Sequence, residues 1–328
     1  MSADPSLSQE HFSQAVRVVG AMRTEIGRAF SGQTAVIDQT LAAMLAGGHV
    51  LLEGVPGLGK TLLVRAIAKT FDGHFARIQF TPDLMPADVT GHVMFDQAKQ
   101  VFVTRRGPIF TNLLLADEIN RAPAKTQSAL LEVMQEGQVT IEGQAHPLTA
   151  PFMVFATQNP IEQEGTYALP EAQLDRFLLK IKIDHLTGDD EIAMVKQVTA
   201  GSIGDRLRVD HLNALIKDQA VVTLQTITSN VHVDDRVVDY AVRIVRATRE
   251  WSGISAGAGP RGGIALIRAA RAVALMAERD FVVPDDIRSM ALPALRHRIA
   301  LAPDSGIEGQ DTDDLLQAVL AKVEAPRK

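Results

Sequence analysis

Between Val50 and Ala68 the chain passes through three patterns in a fixed order. Val50-Leu51-Leu52 is an apolar run of strand character. Gly54-Val55-Pro56-Gly57-Leu58-Gly59-Lys60-Thr61 then spells G-x-x-x-x-G-K-T. Leu62 to Ala68 repeats apolar residues at helical spacing. Strand, glycine loop and helix in that order are what a phosphate-binding loop requires. Glycines let successive backbone N–H groups turn toward one anion, and the following helix points its positive end at the same place. On this reading the backbone from Gly54 through Leu62 cradles a nucleotide. Lys60 reaches its β- and γ-phosphates, and Thr61 offers a hydroxyl to Mg²⁺. The competing reading is a glycine-rich strand-to-helix turn that binds nothing.

The rest of the 328-residue chain must be compatible with such a loop, and it is. There is room for one large α/β domain and a smaller one. The content is 46% hydrophobic and 22% charged, which is ordinary for a globular protein. The net charge of -6 speaks against a dedicated nucleic-acid binder, which needs clustered Lys and Arg. With no cysteine, disulfides, zinc-thiolate sites and cysteine nucleophiles are excluded. The N-terminal segment Met1 to Ser6 lacks the basic and apolar regions of a signal peptide. Leu41 to Val55 is too short and too interrupted to span a bilayer. The expectation is a cytoplasmic protein without a membrane partner.

Read in order, Ser8 to Phe30 and Val36 to Leu45 have helical spacing, with Gly32-Gln33 between them. That pair is either a helix-to-helix turn or a contact for an adenine ring. A second strand is expected at Ala76 to Phe80, and buried strands at Leu113 to Ala116 and Phe152 to Ala156, with Phe177 to Ile183 the last. Residues 82–108 look inserted, with β-like runs Val89 to Phe95 and Val101 to Thr104. A helix over Thr126 to Glu136 precedes a second hairpin, Gln138 to Ile141 with Gln144 to Leu148. Thr187-Gly188-Asp189-Asp190 marks a domain boundary, and the pattern beyond it is almost purely helical.

Candidate chemistry clusters where strands end. Asp117-Glu118 follows the buried run Leu113 to Ala116, at the strand edge where open parallel sheets bind ligands. Asp117 suits the Mg²⁺ shell and Glu118 the polarisation of an attacking water. An acidic helix start is the bland alternative. Asn159 ends the next strand, facing either the γ-phosphate or a simple Asn-Pro turn. Arg176 is either an arginine finger, which if supplied by a neighbour requires a ring, or an ion-pair partner of Asp175 or Glu171. Arg261, Arg268 and Arg271 fall on one stripe of a helix, opposite Leu266, Ala270 and Val273. Of the three, Arg271 reads as solvated.

These residues together look like an AAA+ ATPase. Leu114-Leu115-Ala116-Asp117-Glu118-Ile119-Asn120-Arg121-Ala122-Pro123 resembles the signature of the MoxR family. So do Gln79 to Leu84, Ala156 to Pro160, and Leu169 to Phe177. The resemblance implies an α/β fold. This is a P-loop αβα sandwich with a five-stranded parallel sheet of order 5-1-4-3-2, β-hairpin inserts and an all-helical lid. Residues 8–186 would form the core, with inserts at about 82–108 and 138–150, and residues 187–328 the lid. It implies roles as well: Walker A for Lys60 and Thr61, Walker B for Asp117 and Glu118, and sensor 1 for Asn159. Arg176 would be the finger and Arg261 sensor 2. The implied cofactors are ATP and Mg²⁺. The implied assembly is a homo-oligomeric ring, a hexamer, that remodels a protein client, with a von Willebrand factor A domain protein as partner. A nucleic-acid motor and a chelatase-type assembly subunit are the alternatives. One departure stands out: Gly257-Ala258-Gly259-Pro260-Arg261-Gly262 replaces the family's Gly-Ala-Ser-Pro-Arg-Ala. It lacks the serine cap, and Gly262-Gly263 should weaken the first turn.

Overall fold

The computed structural model describes residues 9–159, 166–199, 209–307 and 309–326. Ser8 and residues 160–165, 200–208, 308 and 327–328, which the expected core, strand-end motif and lid include, lie outside the described residues.

Five strands form the central sheet: β1 Val50–Glu53, β2 Phe75–Gln79, β3 Leu113–Asp117, β4 Met153–Gln158 and β5 Leu179–Lys182. All are parallel and lie side by side as β2-β3-β4-β1-β5, the expected order. The continuous apolar runs follow from cover on both faces. Leu52, Leu113, Leu115, Phe155 and Ile181 point into one core, while Leu51, Leu114, Ala116, Val154 and Ala156 point into the other. The first core also takes in Leu266, Ala270, Ile287, Leu295 and Leu316 from the helical C-terminal part. That part is therefore packed onto the sheet layer through shared apolar side chains.

Both inserted hairpins form, Gly91–Asp96 with Val101–Arg106 and Gln138–Ile141 with Gln144–Pro147. The first begins two residues later than expected. Pro86–Thr90 is a short helix with proline in its first turn, and Val89 is buried rather than strand-like.

The glycines of the departing segment have a packing role. The helix Pro260–Met276 forms without a side-chain cap and lies against the helix Pro284–Leu295. Gly262 is buried there, and a Cβ on it would come within 2.9 Å of the Leu295 side chain. The weak first turn is thus offset by close helix approach.

His49 fixes the entry to β1. Its Nδ1 accepts from the Val154 N–H at 3.0 Å, and Nε2–H donates to the Met134 carbonyl at 3.0 Å. The ring must be neutral for this pattern. Burial holds its pKa down at about 4; the Met134 hydrogen bond opposes this and the Arg268 charge reinforces it. The folded value lies below the unfolded one, so the unfolded chain binds more protons between pH 4 and 6.5. Stability therefore rises with pH through that window. Going from pH 8 to pH 5 is expected to cost about 2 kcal/mol through His49 alone. Denaturant titrations at the two pH values should show His49→Gln losing most of that dependence; an unchanged dependence would assign it elsewhere.

Candidate active site

The loop after β1 has the shape a phosphate cradle needs. Gly57 and Gly59 adopt φ of 90° and 78°, which side chains disfavour. Gly59 immediately precedes the helix Lys60–Thr70. Gly54 is pressed against the chain after β5: a Cβ there would stand 2.6 Å from the Ile183 carbonyl oxygen. The Lys60 ammonium donates to the Gly54 carbonyl at 2.6 Å, bridging the loop. Burial lowers its pKa, and the nearby Asp117 and Glu118 carboxylates oppose that shift. Thr61 follows in the first helical turn, and Leu62 packs into the core. Val55, Pro56 and Leu58 complete the loop between the glycines.

Gly32 and Gln33 meet the same edge. The Gln33 amide donates to the Asp184 carbonyl at 3.3 Å, and a Cβ on Gly32 would sit 2.8 Å from Leu186. The turn is therefore beside the loop, not remote from it.

Asp117 ends β3, and Glu118 follows in a left-handed conformation with φ of 55°. That conformation is costly for a residue with a Cβ, and such outliers gather at functional sites. Both carboxylates are held in place. Asp117 Oδ1 accepts from Thr157 Oγ1 at 2.6 Å, and its Oδ2 accepts from Arg77 at 2.6 and 3.2 Å. Glu118 Oε2 accepts from Gln79 Nε2 at 2.7 Å and from Arg121 at 3.2 Å. The Glu118 N–H donates to Thr157 Oγ1 at 2.8 Å. Asn159, just past the end of β4, is buried on the same edge. Lys60, Thr61, Asp117, Glu118 and Asn159 thus converge.

The donor set fits Mg²⁺. Among the described residues no three His, Asp or Glu gather into a cage. The protein offers one carboxylate, Asp117, with lone pairs left over, and one hydroxyl, Thr61. A hard ion that keeps its waters and takes phosphate oxygens suits that set.

Arg176 and Arg261 lie elsewhere. Arg176 precedes β5, whereas Lys60 follows β1, and these strands are parallel neighbours. The two sit at opposite edges of the sheet, roughly 15 Å apart by strand rise. Arg176 donates to the Leu131 carbonyl at 2.7 Å, and its Nε is buried without a partner. The ion pair with Asp175 or Glu171 does not form. Asp175 is taken instead by Arg298 at 2.7 Å and by Arg261 at 3.7 Å. A cleft of about 300 Å³ holds Arg176, Arg261, Arg268 and Arg298 together. Arg268 donates to the Ala46 carbonyl and, at 3.1 Å, to that of Gly47. Arg271 is half-buried, not solvated, and its Nε lacks a hydrogen bond.

Arg298 is the least exposed of these cations. It donates to Asp175 Oδ1 at 2.7 Å and to the backbone carbonyls of Asp175, Phe177 and Leu178 at 3.3, 2.6 and 3.1 Å. It thereby fixes the turn that carries Arg176. Sequence reading missed Arg298, Arg77, Gln79 and Thr157. Arg77 and Gln79 left one signal, two polar residues on the same face of a strand next to β3.

A family model described as "ATPase family associated with various cellular activities (AAA)" matches residues 49–179, and an "AAA lid domain" model matches residues 246–319. A Bacillus subtilis protein, "Uncharacterized protein YeaC", is 44% identical over 94% of this chain and 95% of its own. "Chaperone MoxR1" of Mycobacterium tuberculosis is 42% identical over 92% of this chain and 81% of its own. The crystal structure of a candidate ATPase from Cytophaga hutchinsonii superposes with a TM-score of 0.90 at 40% identity, covering 97% of this chain and 98% of that one.

Proposed function

The chain belongs to the MoxR family of AAA+ ATPases, and from that premise we propose that it hydrolyses Mg²⁺-ATP at a site shared by two copies, to remodel or mature protein complexes. The observation that carries this reading is the convergence of Lys60 with Asp117 and Glu118 at one sheet edge. ATP lies across the Gly54–Leu62 backbone with Lys60 on its β- and γ-phosphates and Gly32-Gln33 beside the adenine. Thr61 and Asp117 would hold Mg²⁺, which when bound would neutralise charge on the phosphates. Glu118 takes the proton of the attacking water, and Asn159 holds that water against the γ-phosphate.

Arg176 and Arg261 complete the pocket from the next copy. Their position at the far edge supports a head-to-tail ring, which we read as a hexamer. Residues 8–186 are the nucleotide core and 187–328 the lid. A site that consumes ATP works where ATP is supplied, which favours the cytoplasm; among the described residues no helix is long and apolar enough to cross a membrane. The client class, von Willebrand factor A domain proteins, rests on the family likeness. We place client contact on the first hairpin, where Phe102 is 76% exposed and stacks edge-on against Phe95 at 5.2 Å.

The direct test is nucleotide binding. Lys60→Ala is expected to weaken binding of a fluorescent ATP analogue by roughly tenfold or more and to reduce hydrolysis to background. Hydrolysis at the wild-type rate in that variant would end the reading.

A further inference from the structure

Two unpartnered surfaces at opposite edges of the molecule have matching chemistry. The first is a groove of about 560 Å³ between the helices Asp235–Arg249 and Pro260–Met276. Its apolar lining is open, with Val238, Val242 and Ile264 exposed by 38%, 44% and 58%. Arg246, Arg249, Arg268 and Arg271 border it. Arg246 is exposed and, among the described residues, makes no hydrogen bond or ion pair; Arg271 is likewise unpaired. Cations around an apolar floor select an occupant that is both acidic and apolar.

The second surface has that character. The helix Gly188–Thr199 opens with Asp189, Asp190 and Glu191, then exposes Ile192 by 54% and Val195 by 49%. Three residues apart, Ile192 and Val195 share one helix face. Among the described residues Asp189 and Glu191 have no ion-pair partner on their own chain, and Asp190 bonds only to Thr187.

Their placement matters as much as their chemistry. The acidic helix starts beside the phosphate loop, since Asp190 lies against Gly32. The groove is continuous with the arginine cleft, because Ile264 and Arg268 line both. We propose that the Gly188–Thr199 helix of one copy seats in the arginine-bordered groove of the next, and that this contact carries Arg176 and Arg261 to the neighbour's Lys60 edge. The contact is heterologous, so repetition around a closed rotation gives a ring. It rests on the shared-site reading above and specifies which surfaces meet.

A charge swap within one chain tests it. Arg246→Glu and Glu191→Arg should each raise, by roughly tenfold or more, the protein concentration at which half the chain is assembled with ATP, as read by mass photometry. The double variant restores opposite charges at every contact and should assemble within about threefold of wild type. Val242→Asp, at a site already open to solvent, should lose assembly while keeping its circular dichroism spectrum and its binding of a fluorescent ATP analogue. Wild-type assembly by Arg246→Glu and Val242→Asp overturns the proposal, and so does a double variant no better than the worse single one. If Val242→Asp loses only capture of a client protein, the groove belongs to that client and the proposal fails. A wild-type chain that neither assembles nor hydrolyses ATP would instead sink the shared-site reading itself.

Discussion

Glu118→Gln keeps ATP bound and slows its hydrolysis by roughly 10²–10⁴-fold, the range that a positioned general base contributes. The substitution isolates one property. An amide oxygen still accepts from Gln79 Nε2, now 2.7 Å from Glu118 Oε2, and Arg121 stays in reach. The left-handed backbone at this position and its N–H bond to Thr157 do not depend on the carboxylate. What disappears is an acceptor for the water's proton. Single-turnover hydrolysis beside equilibrium nucleotide binding separates the two effects. Turnover within threefold of wild type would place the base on another residue. The variant should also hold its client in ATP, because the bound state then outlives the assay.

Arg176→Ala is expected to lower turnover by roughly 10³–10⁵-fold, the contribution of an arginine that stabilises the transferring phosphoryl group. Nucleotide affinity should barely change, since Arg176 is a strand length away from the loop of its own chain. The sharper consequence concerns mixtures. Arg176→Ala copies retain a sound phosphate loop, and Lys60→Ala copies retain a sound arginine. Each alone is inactive. Mixed one to one at random in a ring, about a quarter of the interfaces pair a sound loop with a sound arginine, so turnover should recover to about a quarter of wild type. A mixture that stays inactive would show that Arg176 does not act across subunits. Loss of nucleotide binding in Arg176→Ala would point to a structural role instead, through its bond to Leu131.

How much of this was legible in the sequence depended on distance along the chain. Gly54 to Thr61 and Asp117-Glu118 could be read because each motif is contiguous and its chemistry is local. The sheet order came with the family likeness; the apolar runs of β3 and β4 report burial on both faces and say nothing about neighbours. Arg77 and Gln79 hold Asp117 and Glu118 from about 40 residues upstream, through strand register. No single-sequence pattern reports such a pairing. Arg298 lies 120 residues from Leu178, the end of the turn it holds. Arg261 illustrates a different limit. Helical periodicity placed it correctly on a stripe with Arg268, yet which edge of the sheet that stripe faces was decided by packing of the whole helical region. The glycines at 262 and 263 looked like a defect locally, and only the closeness of Leu295 gives the first of them a use.

The Arg298 clamp has a mechanical consequence. It lies just past the C-cap of the helix Pro284–Leu295, and it grips the Asp175–Leu178 turn through one carboxylate and three carbonyls in a buried setting. Pulling them apart would strand a buried cation, a penalty of several kcal/mol. The helical region and the arginine turn therefore share a single degree of freedom. A tilt of the helical region would carry the turn that holds Arg176 along with it.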